Sequence, residues 1–236
     1  MIYHLLTSLL HKTNILRFIL RIPFHRYGVA FGALLRAESI LDVGVRYAFA
    51  AKMIKHLGSK KRLLGVDIWL PNLLREDVRM AYDDLVLCDA RHLPFRTNSV
   101  NVVLMFEIIE HMVKQDAFKC IQYAELVAKD EVIISTPVGY FKQEEMYGNP
   151  YESHKSAFVP SELRELGYKV RGIGLRAVSR TKGGIPITSS TMRMISLLIS
   201  LLFWPLPYFR PEVAERMIGM KSLKRHEWLK RTIAHD

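Results

Sequence analysis

Only two cysteines, Cys88 and Cys120, occur in 236 residues. That is too few for a disulfide framework or a four-ligand zinc site, and a reducing, cytoplasmic compartment is the expectation. Apolar runs able to cross a bilayer are missing as well. The greasiest stretch, residues 194–209 (M-I-S-L-L-I-S-L-L-F-W-P-L-P-Y-F), has sixteen residues and two prolines, short of the roughly 20 required. His11 and Lys12 break the N-terminal apolar stretch and no small-residue cleavage site follows, so no secretory signal is expected. Repeats and low-complexity tracts are lacking. Half of the residues are apolar and 24% are charged, which excludes wholesale disorder and leaves a core-forming domain with room for an appendage.

Acidic residues are unevenly withheld. Residues 1–37 contain five basic residues (Lys12, Arg17, Arg21, Arg26, Arg36) and no acid, and residues 169–236 contain thirteen basic and four acidic ones. The flanks therefore carry +5 and +9, and the middle, 38–168, carries −3 of the net +11. Basic, greasy ends around an acid-leaning centre favour a polyanionic partner, nucleic acid or an anionic membrane surface.

Leu5, Leu6, Leu9, Leu10, Leu16, Ile19 and Leu20 recur at helical spacing, and Pro23 should end that helix before a second one runs to about Arg36. From Ser39 the pattern changes. Ile40–Val43, Arg62–Val66, Leu85–Cys88, Val100–Phe106 and Val132–Ser135 read as buried strands. Phe49–Leu57, Leu70–Met80 and Phe118–Ala128 read as helices. Strands alternating with helices predict a doubly wound, mostly parallel α/β sheet whose strand ends form a ligand-binding rim. Beyond Pro160 come a short helix to Leu166, an edge strand at Lys169–Ile173, and a basic, helix-like tail. The domain reading is therefore 1–37 for amphipathic helices, 38–175 for the α/β domain and 176–236 for a basic helical extension.

Chemistry-bearing residues gather at the predicted strand ends. Strand one ends Asp42-Val-Gly44, where a glycine lets backbone approach a ligand closely. Strand two ends Gly65-Val66-Asp67, with an acid suited to two ribose hydroxyls. Strand three ends Cys88-Asp89-Ala90, strand four runs into F-E-I-I-E-H with Glu107, Glu110 and His111, and strand five ends S-T-P-V-G. Plainer roles compete with these. Asp67 and Asp89 would serve as helix caps, His111 as a packing residue, His154 as a surface histidine and Cys88 as a small buried apolar group. No metal is assigned.

In order and spacing, this series resembles the class I S-adenosylmethionine-dependent methyltransferases, particularly the small-molecule group, over about Ala37–Ile173. The resemblance implies a Rossmann-like fold, S-adenosylmethionine as cofactor, and cofactor contacts from Asp42, Gly44, Asp67, Asp89 and the Ala90 backbone. It places Glu107, Glu110 and His111 along the cofactor and substrate cleft. The segment N-P-Y-E-S-H-K-S-A-F-V-P-S-E-L, with His154, falls over the substrate pocket, so Glu107, His111 and His154 are the candidate catalytic residues. The family loop Asp-x-Gly-x-Gly-x-Gly has Arg46 and Ala48 at its second and third glycines. Arg46 is suited to pairing with the cofactor's methionine carboxylate. The implied activity is methyl transfer to a small or lipid-like acceptor, and the basic, greasy flanks add an anionic membrane surface as an expected contact. An RNA acceptor and a non-catalytic binding module are the alternatives. RNA is disfavoured because the flanking basic residues interleave with Leu, Ile and Phe.

Overall fold

Alternate side chains along each central strand supply two different cores. In β4 (Val100–Phe106), Val102 and Leu104 join Ile40 and Ile133 on one face, while Val103 and Met105 join Leu41, Val132 and Ile134 on the other. That period of two, apolar on both faces, is what a covered parallel sheet demands. The computed structural model describes residues 26–56, 61–179, 192, 195, 198–199 and 202–223.

Seven strands form one sheet in the order β3-β2-β1-β4-β5-β7-β6. They are β1 Ser39–Val43, β2 Arg62–Asp67, β3 Asp84–Leu87, β4, β5 Ala128–Pro137, β6 Lys169–Leu175 and β7 Ala214–Ser222. β1 to β5 pair in parallel, and β7 runs antiparallel to both of its neighbours. The C-terminal ends of the first five strands therefore share one rim. Helices α1 (Arg26–Arg36) and α2 (Phe49–His56) lie with one core cluster. A long helix, Lys114–Val127, closes the other by burying Ala117, Cys120, Ile121, Ala124 and Val127 at helical spacing. Cys120 is fully buried there, its thiol donating to the Ala90 carbonyl at 3.2 Å.

Two expectations change. The segment 70–80 is two short helices, α3 (Leu70–Leu74) and α4 (Glu76–Arg79), divided at an extended Arg75. The Arg75 guanidinium grips Asp77 through two bonds of 3.1 Å and lies over the Tyr47 ring, contacts that compete with a continuous helix. With these numbered, the long helix is α5 and Pro160–Glu165 is α6.

The second correction concerns the tail, expected to be helical. Residues 214–222 are β7, inserted between β5 and β6, so the sheet runs past the 175 boundary. Met217 and Ile218 enter opposite cores, the signature of a strand covered on both faces. Residues 1–25, which include the first expected helix, and the final segment 224–236 lie outside the described residues. In the connection between β6 and β7, α7 (Arg176–Ser179) is followed by α8 (Pro205–Phe209). α8 lies so close on β6 that a Cβ at Gly172 would stand 2.1 Å from the Pro207 carbonyl oxygen. No helix among the described residues is long and apolar enough to cross a membrane.

Candidate active site

A cleft of about 420 Å³ opens at the shared strand rim, and all nine residues singled out in the sequence as cofactor-binding or catalytic line it. The turn after β1 sets its first wall. Gly44, Arg46 and Ala48 all have positive φ, at +83°, +31° and +53°. The chain thus adopts at Arg46 and Ala48 a backbone that glycine reaches without cost. Gly44 N–H donates to the Val66 carbonyl at 2.7 Å, which locks the turn to the end of β2. The Arg46 side chain meets the Glu152 carboxylate at 3.1 Å and stacks over Tyr47. The buried Asp42 carboxylate accepts from the Tyr82 hydroxyl.

Asp67 is a junction. Its carboxylate accepts from the Trp69 N–H at 2.8 Å, the Asn72 amide at 3.0 Å and the Arg46 N–H at 3.3 Å. It therefore ties the β1 turn to the segment after β2, and burial raises its pKa. Asp89 caps the turn Ala90–His92 through the Arg91 N–H at 2.9 Å and also grips the Arg91 guanidinium. That guanidinium holds Asp89 below the usual carboxylate range. Both acids border the cleft and both make the capping-type contacts weighed in the sequence.

Beyond β4 the chain makes a tight turn. Glu107 has φ +58° and its carboxylate receives the Ser135 hydroxyl at 2.8 Å and the Arg216 guanidinium. Glu110 is buried, with one carboxylate oxygen bound by the Thr136 hydroxyl at 3.0 Å. Its backbone carbonyl accepts the Lys155 and Ser156 N–H groups at 2.8 and 3.1 Å, clamping the 140–159 loop onto the turn. The clamp brings His154 edge-on to His111, ring centroids 4.7 Å apart. Burial, with His154 adjacent, pushes His111 down to about 4, so it is neutral at physiological pH.

Residues 41–134 match the family model for the methyltransferase domain. This segment is a methyltransferase domain. Solved structures share its fold at low identity. An S-adenosylmethionine-dependent methyltransferase from Archaeoglobus fulgidus is 16% identical, with TM-score 0.53, covering 93% of this chain and 99% of its own. A chain from the complex of the Haloferax volcanii Trm112 methyltransferase activator with a methyltransferase is 15% identical, with TM-score 0.51, covering 83% and 88%. The methyltransferase domain of bacterial CtHen1-C is 16% identical, with TM-score 0.51, covering 88% and 96%. No curated protein matches the chain.

The methyltransferase cleft also contains groups that the sequence did not single out. Asn72, Glu152 and Arg216 all line it. Arg216 sits on β7, where the sequence reads as a basic tail, and Glu152 lies in a loop without periodicity. The signal for Glu152 was proximity to His154 in the N-P-Y-E-S-H segment.

Proposed function

We propose that this methyltransferase acts on a small, lipid-like acceptor taken from an anionic membrane surface. The observation that carries this reading is apolar exposure between β6 and β7. Leu198, Leu202, Phe203, Leu206 and Phe209 are all exposed, Leu202 by 75%. Arg176 and Arg210 are exposed in the same connection. Apolar side chains grouped with cations favour shallow insertion into a headgroup layer, with each cation adding about 1 kcal/mol at an anionic surface. The connection also begins near the cleft. Arg176 donates to the Val138 carbonyl at 3.5 Å, and Val138 follows the cleft-lining Pro137.

The cleft suits S-adenosylmethionine in size, lying within the roughly 300–1,000 Å³ of small-molecule sites. When bound, this cofactor supplies an electrophilic methyl group on a sulfonium. The Gly44–Ala48 turn would enclose its methionine portion with Arg46 near the carboxylate. Asp67 would receive the ribose hydroxyls, and Asp89 with the Ala90 backbone would meet the adenine. Glu107, His111 and His154 then stand on the acceptor side, with neutral His111 available to hydrogen-bond an acceptor. Methyl transfer of this kind draws chiefly on alignment of nucleophile, carbon and sulfur.

Liposome co-sedimentation tests the membrane part. Binding is expected to phosphatidylglycerol-containing vesicles and not to pure phosphatidylcholine, to weaken with salt, and to fall on Leu202→Asp with Phe209→Asp. Equal indifference to vesicles of every charge would remove the membrane from the reading while leaving the methyltransferase intact.

A further inference from the structure

We propose that Glu110, His111 and His154 bind a divalent first-row transition-metal ion within the cleft. One ligand atom from each of the three residues lies within 4.8 Å of the others. In a complete site each ligand atom stands about 2.0–2.2 Å from the metal, so the trio closes on an ion by small side-chain rotations. The residues come from two segments, the turn after β4 and the 140–159 loop. The bonds from Lys155 and Ser156 N–H to the Glu110 carbonyl hold those segments together.

Two further observations point to a cation. Glu110 is 2% exposed, and its Oε1 is buried without a hydrogen-bond partner. A buried carboxylate oxygen left this way is costly, and a metal ion would satisfy it. Each imidazole directs Nδ1 at a backbone carbonyl, His111 at Ser153 (3.3 Å) and His154 at Phe141 (2.7 Å). That arrangement assigns the proton to Nδ1 and the lone pair to Nε2, the outer-shell pattern that orients histidine ligands.

Two imidazoles and a carboxylate suit zinc, manganese, iron or cobalt in preference to calcium. Three protein ligands leave coordination positions open to the cleft. This deepens the methyl-transfer reading and rests on it for the ion's role: the open positions would take a hydroxyl oxygen of the acceptor. Bound there, the hydroxyl loses its proton to solvent more readily. Its oxygen forms the new O–CH₃ bond as the S–CH₃ bond breaks, the bonding pair leaving on sulfur as neutral S-adenosylhomocysteine. The acceptor class is therefore a hydroxylated one.

The test uses the full chain, stripped with EDTA and dialysed. Titration calorimetry with Mn²⁺ and with Zn²⁺ is expected to give one site per chain, and Co²⁺ is expected to add visible ligand-field bands. Glu110→Gln and His154→Gln should each weaken binding at least tenfold, with circular dichroism reporting that the variants fold. Should either variant fail to fold, the parent's Co²⁺ bands decide. Their absence, or folded variants that bind like the parent, would overturn the site. Titration with S-adenosylmethionine in EDTA separates this outcome from the methyltransferase reading. Cofactor binding without metal binding sinks the metal site alone, and loss of cofactor binding sinks the other.

Discussion

Arg216 reaches the Glu107 carboxylate from a strand 109 residues further along the chain. The pair joins β7 to the turn after β4, and the Ser135 hydroxyl holds the other Glu107 oxygen at 2.8 Å. Glu107 is thereby fixed at a positive φ of +58°, a backbone state that side-chain partners must over-determine. Arg216→Met removes the charge and keeps much of the side-chain volume. It should cost about 1–3 kcal/mol in urea unfolding, because a partly buried carboxylate loses its partner. Methyl transfer should fall with it, mostly in kcat. Unaltered stability together with unaltered turnover would reduce the pair to a surface contact.

Asp67 is expected to dominate cofactor affinity. Replacement by Ala removes an acceptor for two hydroxyl groups, on the order of 2–3 kcal/mol, or roughly 30- to 150-fold in Kd. Burial raises the Asp67 pKa, so it takes up a proton at higher pH than an ordinary carboxylate. Affinity should accordingly decline on acidification at a higher pH than an ordinary aspartate would give, and Asp67→Asn should flatten that decline. Calorimetric titration across pH with both variants checks the pair of statements. An Asp67→Ala protein with parental Kd takes the residue out of the site.

Arg46 separates backbone from side chain. Its φ of +31° is strained for any residue bearing a Cβ. Arg46→Ala and Arg46→Gly both lose the Glu152 ion pair, but only glycine relaxes the turn. The glycine variant should therefore be more stable than the alanine variant by about 1 kcal/mol in thermal or urea unfolding. If Arg46 also meets the cofactor carboxylate, both variants bind S-adenosylmethionine more weakly than the parent. Tighter binding by Arg46→Ala would mark the arginine as an obstruction.

The parallel half of the fold was legible because its signals are local. β4 is observed at Val100–Phe106, where its apolar run predicts it, and Asp67 closes β2 as expected. β7 was not legible, since A-E-R-M-I-G-M-K-S offers short alternation amid basic residues and acquires strand form by pairing with β5 and β6. The split at Arg75 depended on Asp77 and Tyr47, contacts that helix propensity does not register. Within the site, Glu110 and His111 stood out as a pair, but their meeting with His154 depends on backbone bonds to Lys155 and Ser156. Spacing along the chain carries no trace of those bonds.

The placement of β7 also orders events during synthesis. Residues 39–137 hold the five parallel strands, and these can pair while the remainder is still being made. β6 emerges next with no strand beside it, because its neighbour in the finished sheet, β7, is translated later. Until residue 222 clears the ribosome, both β5 and β6 present open edges, the feature that invites mispairing in nascent chains. Arg216 arrives on that same closing strand, so Glu107 gains its counter-ion at the moment the sheet is sealed. Completion of the fold and assembly of this wall of the cleft are thus one event.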